Sequence, residues 1–196
     1  ALEFPLSAAD RAEAAALLDR PPPGGPLVGI HPGARYPARR WPPERFAAVG
    51  DLLAERYGAR IVLTGSTEEV ATVQQVAAAM RAAPLVLAGR TSLGGLAALI
   101  ARLDLFISND TGPAHIADAL GTPSVTLFGP ADPTRWGPLD RERHPVVRVP
   151  VACSPCPHRE CPIDHRCLHR ITPEMVATAA TRLLAAGAME IGRAHV

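Results

Sequence analysis

The 196 residues suffice for one α/β domain with a proper core, and 47% hydrophobic residues mark a globular chain, not a disordered one. A net charge of +1 and 4% aromatic residues exclude a general polyanion-binding surface and a basic-aromatic nucleic-acid face, so an anion site must be local. No apolar run approaches bilayer length and no signal-peptide pattern is present, which points to the cytoplasm.

The chain opens without Met, in Ala1-Leu2-Glu3-Phe4-Pro5, which reads as the tail of something earlier. Ala8–Leu18 is an alanine-rich helix started by Ser7 and Asp10. Pro21–Pro26 is a linker, and Leu27–His31 a short apolar strand. The loop Pro32–Arg40 leads to a helix from Pro43 to about Arg56, with Phe46, Val49, Leu52 and Leu53 on one face and Gly58 as its stop. Arg60–Thr64 is the next strand, and a helix runs from Thr67 to about Ala82. Leu85–Leu87 is a strand, and Ser92 caps a helix through Ala101. Leu105–Ile107 is a strand running into a polar turn, Ser108–Gly112, and a helix from Pro113 to Leu120 that Gly121 stops. Ser124–Phe128 is the fifth strand. Ala131–Arg170 is irregular and holds the cysteines, and Pro173–Ala185 is the last helix. Ile191–Val196 reads as translated sequencing adapter, so His195 is no site candidate.

Five strands alternating with helices predict a Rossmann-like parallel sheet with flanking helices and right-handed crossovers. Ligands then bind beyond the carboxyl ends of the strands. The turn Ser108–Gly112 leaves N–H groups without intrahelical partners at the positive end of a helix dipole, which suits a phosphate. Gly112 allows close approach, and Pro113 presets the helical φ. The same residues fit an ordinary strand-to-helix turn capped by Asp110 or Thr111. Arg35, Arg39 and Arg40 can neutralise a diphosphate, or form a solvated basic loop. Trp41 suits ring stacking less well than packing on the Pro43 helix. Glu68 fits ribose binding and also the routine acidic first turn of a helix. His115, on the first turn after the phosphate-type loop, can donate to a diphosphate when protonated.

Cys153, Cys156, Cys161 and Cys167, interspersed with His158, His165 and His169, resemble a compact zinc knuckle of non-standard spacing. Redox chemistry, disulfides and plain packing stay open for them. No Ser-His-Asp arrangement, Walker loop or GxGxxG stands out, and Gly94-Gly95 falls inside a helix.

His31-Pro32-Gly33-Ala34, Arg39-Arg40-Trp41-Pro42, Ser108–His115, Phe128–Pro133 and Trp136-Gly137-Pro138 together resemble the ADP-heptose:lipopolysaccharide heptosyltransferases, glycosyltransferase family 9. The likeness covers about Leu27–Leu184, and Asn-Asp-Thr-Gly-Pro-x-His is its most specific part. It implies the C-terminal half of a GT-B glycosyltransferase. Residues 1–26 would be interdomain linker and helix, and 27–190 a donor-binding domain that includes the cysteine-rich segment 153–167. The N-terminal acceptor domain, with the catalytic base, would be absent.

Carried over singly, Asp110 resembles the aspartate that holds donor heptose hydroxyls. Thr111 and Gly112 resemble the residues whose N–H groups meet the diphosphate, with His115 beside it. Arg39 stands where many members have Lys, keeping the charge but changing a point donor into a fork. Glu68 aligns with a ribose-binding glutamate, and Thr91 with a position whose backbone reads adenine. Relatives of heptosyltransferase II often carry such a cysteine cluster.

The resemblance implies inverting transfer of heptose from ADP-heptose to the inner core of lipopolysaccharide, with no cofactor and no metal. A base deprotonates an acceptor hydroxyl, which displaces ADP, while Arg39, the helix dipole and His115 stabilise the leaving diphosphate. The partners implied are ADP-heptose and, through the missing domain, the lipopolysaccharide acceptor. Nucleic acid is not among them, and peripheral contact at the inner face of the inner membrane is compatible with this reading. Two rivals stand beside it: a nucleotide-sugar domain with another donor, and a zinc-stabilised non-catalytic interaction domain.

Overall fold

A computed structural model describes residues 3–18 and 24–193, with side chains through Gly187. Pro21–Pro23 of the predicted linker and Ala194–Val196 of the adapter-like end lie outside the described residues.

Six strands form one parallel sheet in the order β3-β2-β1-β4-β5-β6. They are β1 (Leu27–His31), β2 (Arg60–Leu63), β3 (Leu85–Val86), β4 (Leu105–Asn109), β5 (Ser124–Leu127) and β6 (Val146–Val147). This is the doubly wound order, reversing direction between β1 and β4. The sixth strand corrects the five-strand expectation. β6 is two residues long inside a segment that reads as loop, and it exists because β5 offers it a free edge.

Strands β1, β4 and β5 are buried along their whole length, and alternate residues feed two cores. Val28, Ile30, Leu105, Ile107, Val125 and Leu127 face one layer. There they meet Phe46, Val49 and Leu53 of α2 (Pro43–Tyr57), Val73 and Val76 of α3 (Val70–Ala79), and Val176, Ala180 and Leu184 of the long C-terminal helix Pro173–Arg193. Leu27, Val62 and Phe106 face the other layer. It is built by α1 (Ala8–Leu17), α4 (Leu93–Ile100) and α5 (Gly112–Leu120). Burying one large apolar side chain contributes about 1.5–3 kcal/mol, so the two layers hold the sheet from both faces.

Helix ends follow the local sequence. Gly58 (φ 63°) and Gly121 (φ 67°) close α2 and α5 in the left-handed region that a side chain would strain. The helix expected from Thr67 instead starts with a 3₁₀ turn, Thr67–Glu69, and α3 follows it. The last helix runs on to Arg193 because nothing after Ala185 breaks it. Two short helices, α6 (Pro133–Trp136) and α7 (Arg166–His169), interrupt the region expected to be irregular; the C-terminal helix is then α8.

Helix α1 packs on the unit through Ala14 and Leu18. Its Glu13 carboxylate accepts from the Ser92 N–H and hydroxyl, both at 2.7 Å, across the start of α4. Gly94 and Gly95 leave the room: a Cβ at either would collide with the carboxylates of Asp10 or Glu13. Gly94-Gly95 is therefore the seat of a protein carboxylate.

Candidate functional site

The site lies where β1 and β4 run side by side and their carboxyl ends lead to loops on opposite sides of the reversal. Strand β4 is longer than expected. Ser108 and Asn109, read as turn, are its last residues and fully buried, paired with His31 of β1 and Leu127 of β5. The run of polar residues signals a turn, but the neighbouring strands continue the ladder past Ile107.

Asn109 works as a clamp. Its Oδ1 accepts from the Trp41 N–H (3.1 Å), and its Nδ2 donates to the carbonyls of Pro32 (2.8 Å) and Gly33 (3.2 Å). One buried amide thus fixes both ends of the arginine loop. Trp41 is fully buried, stands edge-on to Phe46 at 4.9 Å and donates its indole N–H to the Ile171 carbonyl. It packs and does not stack on a ligand.

The clamp aims Arg39 at Asp110 across the reversal, with Nη1 3.0 Å from Oδ2. Asp110 is 5% exposed. Burial raises its pKa, and the opposing pull of Arg39 and His115 does not cancel that rise. The carboxylate is therefore under-solvated and gains from any hydroxyl that donates to it. Next in the chain, Thr111 takes the N-cap position in an extended conformation, but its side chain makes no capping bond. In the first turn of α5, Pro113 has no N–H and the Ala114 N–H donates to the Thr111 carbonyl (3.0 Å), so the Gly112 N–H is the one left without a capping side chain at the positive end of the helix. The space over Gly112 is open: a methyl group there would meet nothing within 4 Å.

A cleft of about 580 Å³ adjoins this pole. Glu68, Thr91 and Thr111 line it, together with Arg35 and Arg40. Arg39, Asp110 and His115 stand outside that lining, so the expected residues form two adjoining groups that meet at Thr111-Gly112. Arg40 is partly committed, its Nε donating to the Ala34 carbonyl (2.9 Å).

His31 and Glu69 were not legible as site residues. His31 is buried, 3.1 Å from the Thr64 hydroxyl through Nδ1 and 3.4 Å from Glu69 through Nε2. The His31 contact pulls the Glu69 pKa down to about 2, outweighing burial and helped by the Ser66 N–H. Glu69 presses on Gly33, where a Cβ would collide with its carboxyl group. The pair holds the turn that leaves Glu68 exposed at the cleft. The Ser66-Thr67-Glu68-Glu69 spacing of a capping box is the signal that separates the two glutamates.

Among the described residues, no group of three or more His, Cys, Asp or Glu side chains is placed to hold a metal. All four cysteines are free thiols, Cys153 exposed and Cys167 buried. The expectation that no Ser-His-Asp arrangement exists needs correction. Ser124 Oγ lies 2.9 Å from His144 Nδ1, and His144 Nε2 3.6 Å from Asp118. The three residues come from a helix, a strand and a loop, a spacing that no sequence motif marks. Ser124 is 1% and His144 2% exposed, at the amino end of β5, away from the cleft. No substrate reaches that hydroxyl, and the trio is a packed polar contact.

The sequence profile of glycosyltransferase family 9 (heptosyltransferase) matches residues 2–166. Lipooligosaccharide heptosyltransferase 2 of Campylobacter jejuni serotype O:2 is 31% identical over 165 residues, which cover 82% of this chain and 52% of that protein. Among solved structures, Escherichia coli ADP-heptose lipopolysaccharide heptosyltransferase II superposes with a TM-score of 0.78 at 27% identity, covering 94% of this chain and 54% of that one. The glycosyl transferase family 9 protein of Veillonella parvula gives 0.80 at 28% identity, with the same coverage. The chain spans about half the length of the curated relatives it matches.

Proposed function

This chain belongs to glycosyltransferase family 9, the heptosyltransferase family, and from that premise we propose that it is the donor-binding half of a GT-B enzyme that transfers heptose from ADP-heptose to the lipopolysaccharide core. The observation that carries the reading is the Arg39–Asp110 bond, made across the sheet reversal beside the open start of α5. A buried carboxylate suited to sugar hydroxyls and a guanidinium suited to phosphate meet at one point.

In this reading Thr111 and Gly112 offer N–H groups to the diphosphate, and His115 stands on the same turn. Asp110 accepts from heptose hydroxyls. Glu68 accepts from the ribose, and the Thr91 backbone meets adenine. As ADP leaves, negative charge grows on the β-phosphate, where Arg39 and the α5 dipole stabilise it. The base that deprotonates the acceptor belongs to a further N-terminal half, with residues 1–26 as the connection and 27–190 as the donor domain. The acceptor and any contact at the inner face of the inner membrane come through that half, on the cytoplasmic side. Among the described residues no helix is long and apolar enough to cross a membrane.

Calorimetric titration tests this. ADP should bind the wild-type chain without heptose turnover. Asp110→Ala should weaken ADP-heptose by about tenfold or more while changing ADP little; Arg39→Ala should weaken both, each losing one charge-assisted contact. A chain that binds UDP-sugars as well as ADP-heptose, or binds neither, would refute the proposal.

A further inference from the structure

The cysteine-rich segment leaves the sheet edge after β6 and returns over the carboxyl ends of the strands. Two bonds tie its start to the loop after β5: the Ser154 hydroxyl donates to the Gly129 carbonyl (2.9 Å) and the Cys156 N–H to the Pro130 carbonyl (2.9 Å). Its end is buried at Cys167 and Leu168, with Leu168 packed so closely on Gly129 that a Cβ there would collide with it. Between these anchors the Cys161 sulfur accepts the His165 N–H (3.2 Å) and fixes the return. The middle of the span reaches the loop after β1, where the Arg159 carbonyl accepts the Ala38 N–H at 3.0 Å.

That contact places a further guanidinium beside the arginine loop. The Arg159 Cζ lies 5.3 Å from the centre of the Tyr36 ring, with Arg35 at 5.4 Å and Arg39 at 5.8 Å. Three cations share one aromatic ring. Each is attracted to the ring, but they repel one another. Of the three, only Arg39 has a carboxylate partner among the described residues, Asp110. The set keeps two uncompensated positive charges beside the open first turn of α5, which itself favours an anion. Arg35 also lines the cleft, so the cluster is continuous with it.

We propose that Arg159, seated by the cysteine-rich segment, is a phosphate-binding residue that takes a nucleotide diphosphate together with Arg35 and Arg39. This rests on the donor-binding reading above. The diphosphate of a nucleotide sugar carries two negative charges, which matches the two left on the cluster. Guanidinium groups meet phosphate oxygens as two-pronged donors, and Tyr36 holds them within reach before the ligand arrives. The segment is then a wall of the binding site, and its role is to carry Arg159 to Tyr36.

Titration of the whole chain with ADP, and separately with adenosine, tests the assignment. Arg159→Ala and Arg159→Gln should each weaken ADP by about tenfold, the loss of one charge-assisted contact, and leave adenosine unchanged. Arg159→Lys should recover part of the loss, since it keeps the charge without the fork, and the salt dependence of ADP affinity should become shallower in the neutral variants. Arg166→Ala, on the same segment but paired with Asp164 (2.9 Å), should bind ADP like wild type. Wild-type affinity for ADP in both neutral Arg159 variants would overturn this inference and leave the donor reading standing. Failure of the wild-type chain to bind ADP would overturn both.

Discussion

At the residue scale, the site depends on Asn109 as much as on the charged groups beside it. Its side chain makes three hydrogen bonds in a fully buried place, and nothing replaces them when it is cut back. Asn109→Ala should cost about 2–4 kcal/mol in urea unfolding, from unsatisfied buried carbonyls and the Trp41 N–H. It should also weaken ADP, because Arg39 loses its anchored loop; unchanged stability would refute the clamp. Sequence alone marks Asp110, Thr111, Gly112 and His115 through turn chemistry and motif. It does not separate Asn109 from them, since Asn is as common in turns as in clamps, and burial is what distinguishes the two uses. Glu68 and Glu69 are neighbours of one type that the capping-box spacing tells apart, and the structure adds that Glu69 turns inward to His31 while Glu68 stays at the cleft.

At the scale of elements, periodicity and helix stops place α2, α4 and α5 well, since long apolar faces and left-handed glycines are local properties. β6 is invisible to that reasoning, for two residues carry no period. The docking of α1 on α4 is likewise a matter of tertiary contact. Glu13 meets Ser92 from 79 residues away. Glu13→Ala should destabilise the chain by about 1–2 kcal/mol, through loss of a charge-assisted bond at a helix start. Hydrogen exchange should rise in α1 and at Ser92–Gly95 before the sheet is affected; uniform exchange across the chain would contradict this docking.

At the scale of the molecule, the His144–Asp118 and His31–Glu69 pairs each contribute to how stability follows pH. Burial lowers the His144 pKa below its ordinary 6.5, against the pull of Asp118 and Asp140 and with the help of Arg143. The unfolded chain therefore takes the proton first, so stability is present above that value and is lost as pH falls through it. Glu69, at about 2 instead of 4.5, contributes stability above 4.5 that disappears on the way down to 2. Melting temperature should decline in two stages on acidification. His144→Gln should flatten the upper stage and Glu69→Gln the lower; a wild-type slope in either variant would reject that assignment. The whole-molecule plan is the part most open to reading from sequence, because strand–helix alternation dictates a parallel sheet and a parallel sheet dictates where ligands sit. The carboxylate of Glu13 gives that plan a polarity. Two helices begin at the cleft, and one of them already has its anion while the other is bare. On the donor-binding proposal, a ligand with one charged and one neutral end would be sorted head from tail, its charge turned to α5 and its uncharged ring to α4, with a protein side chain acting as the key that admits it one way round.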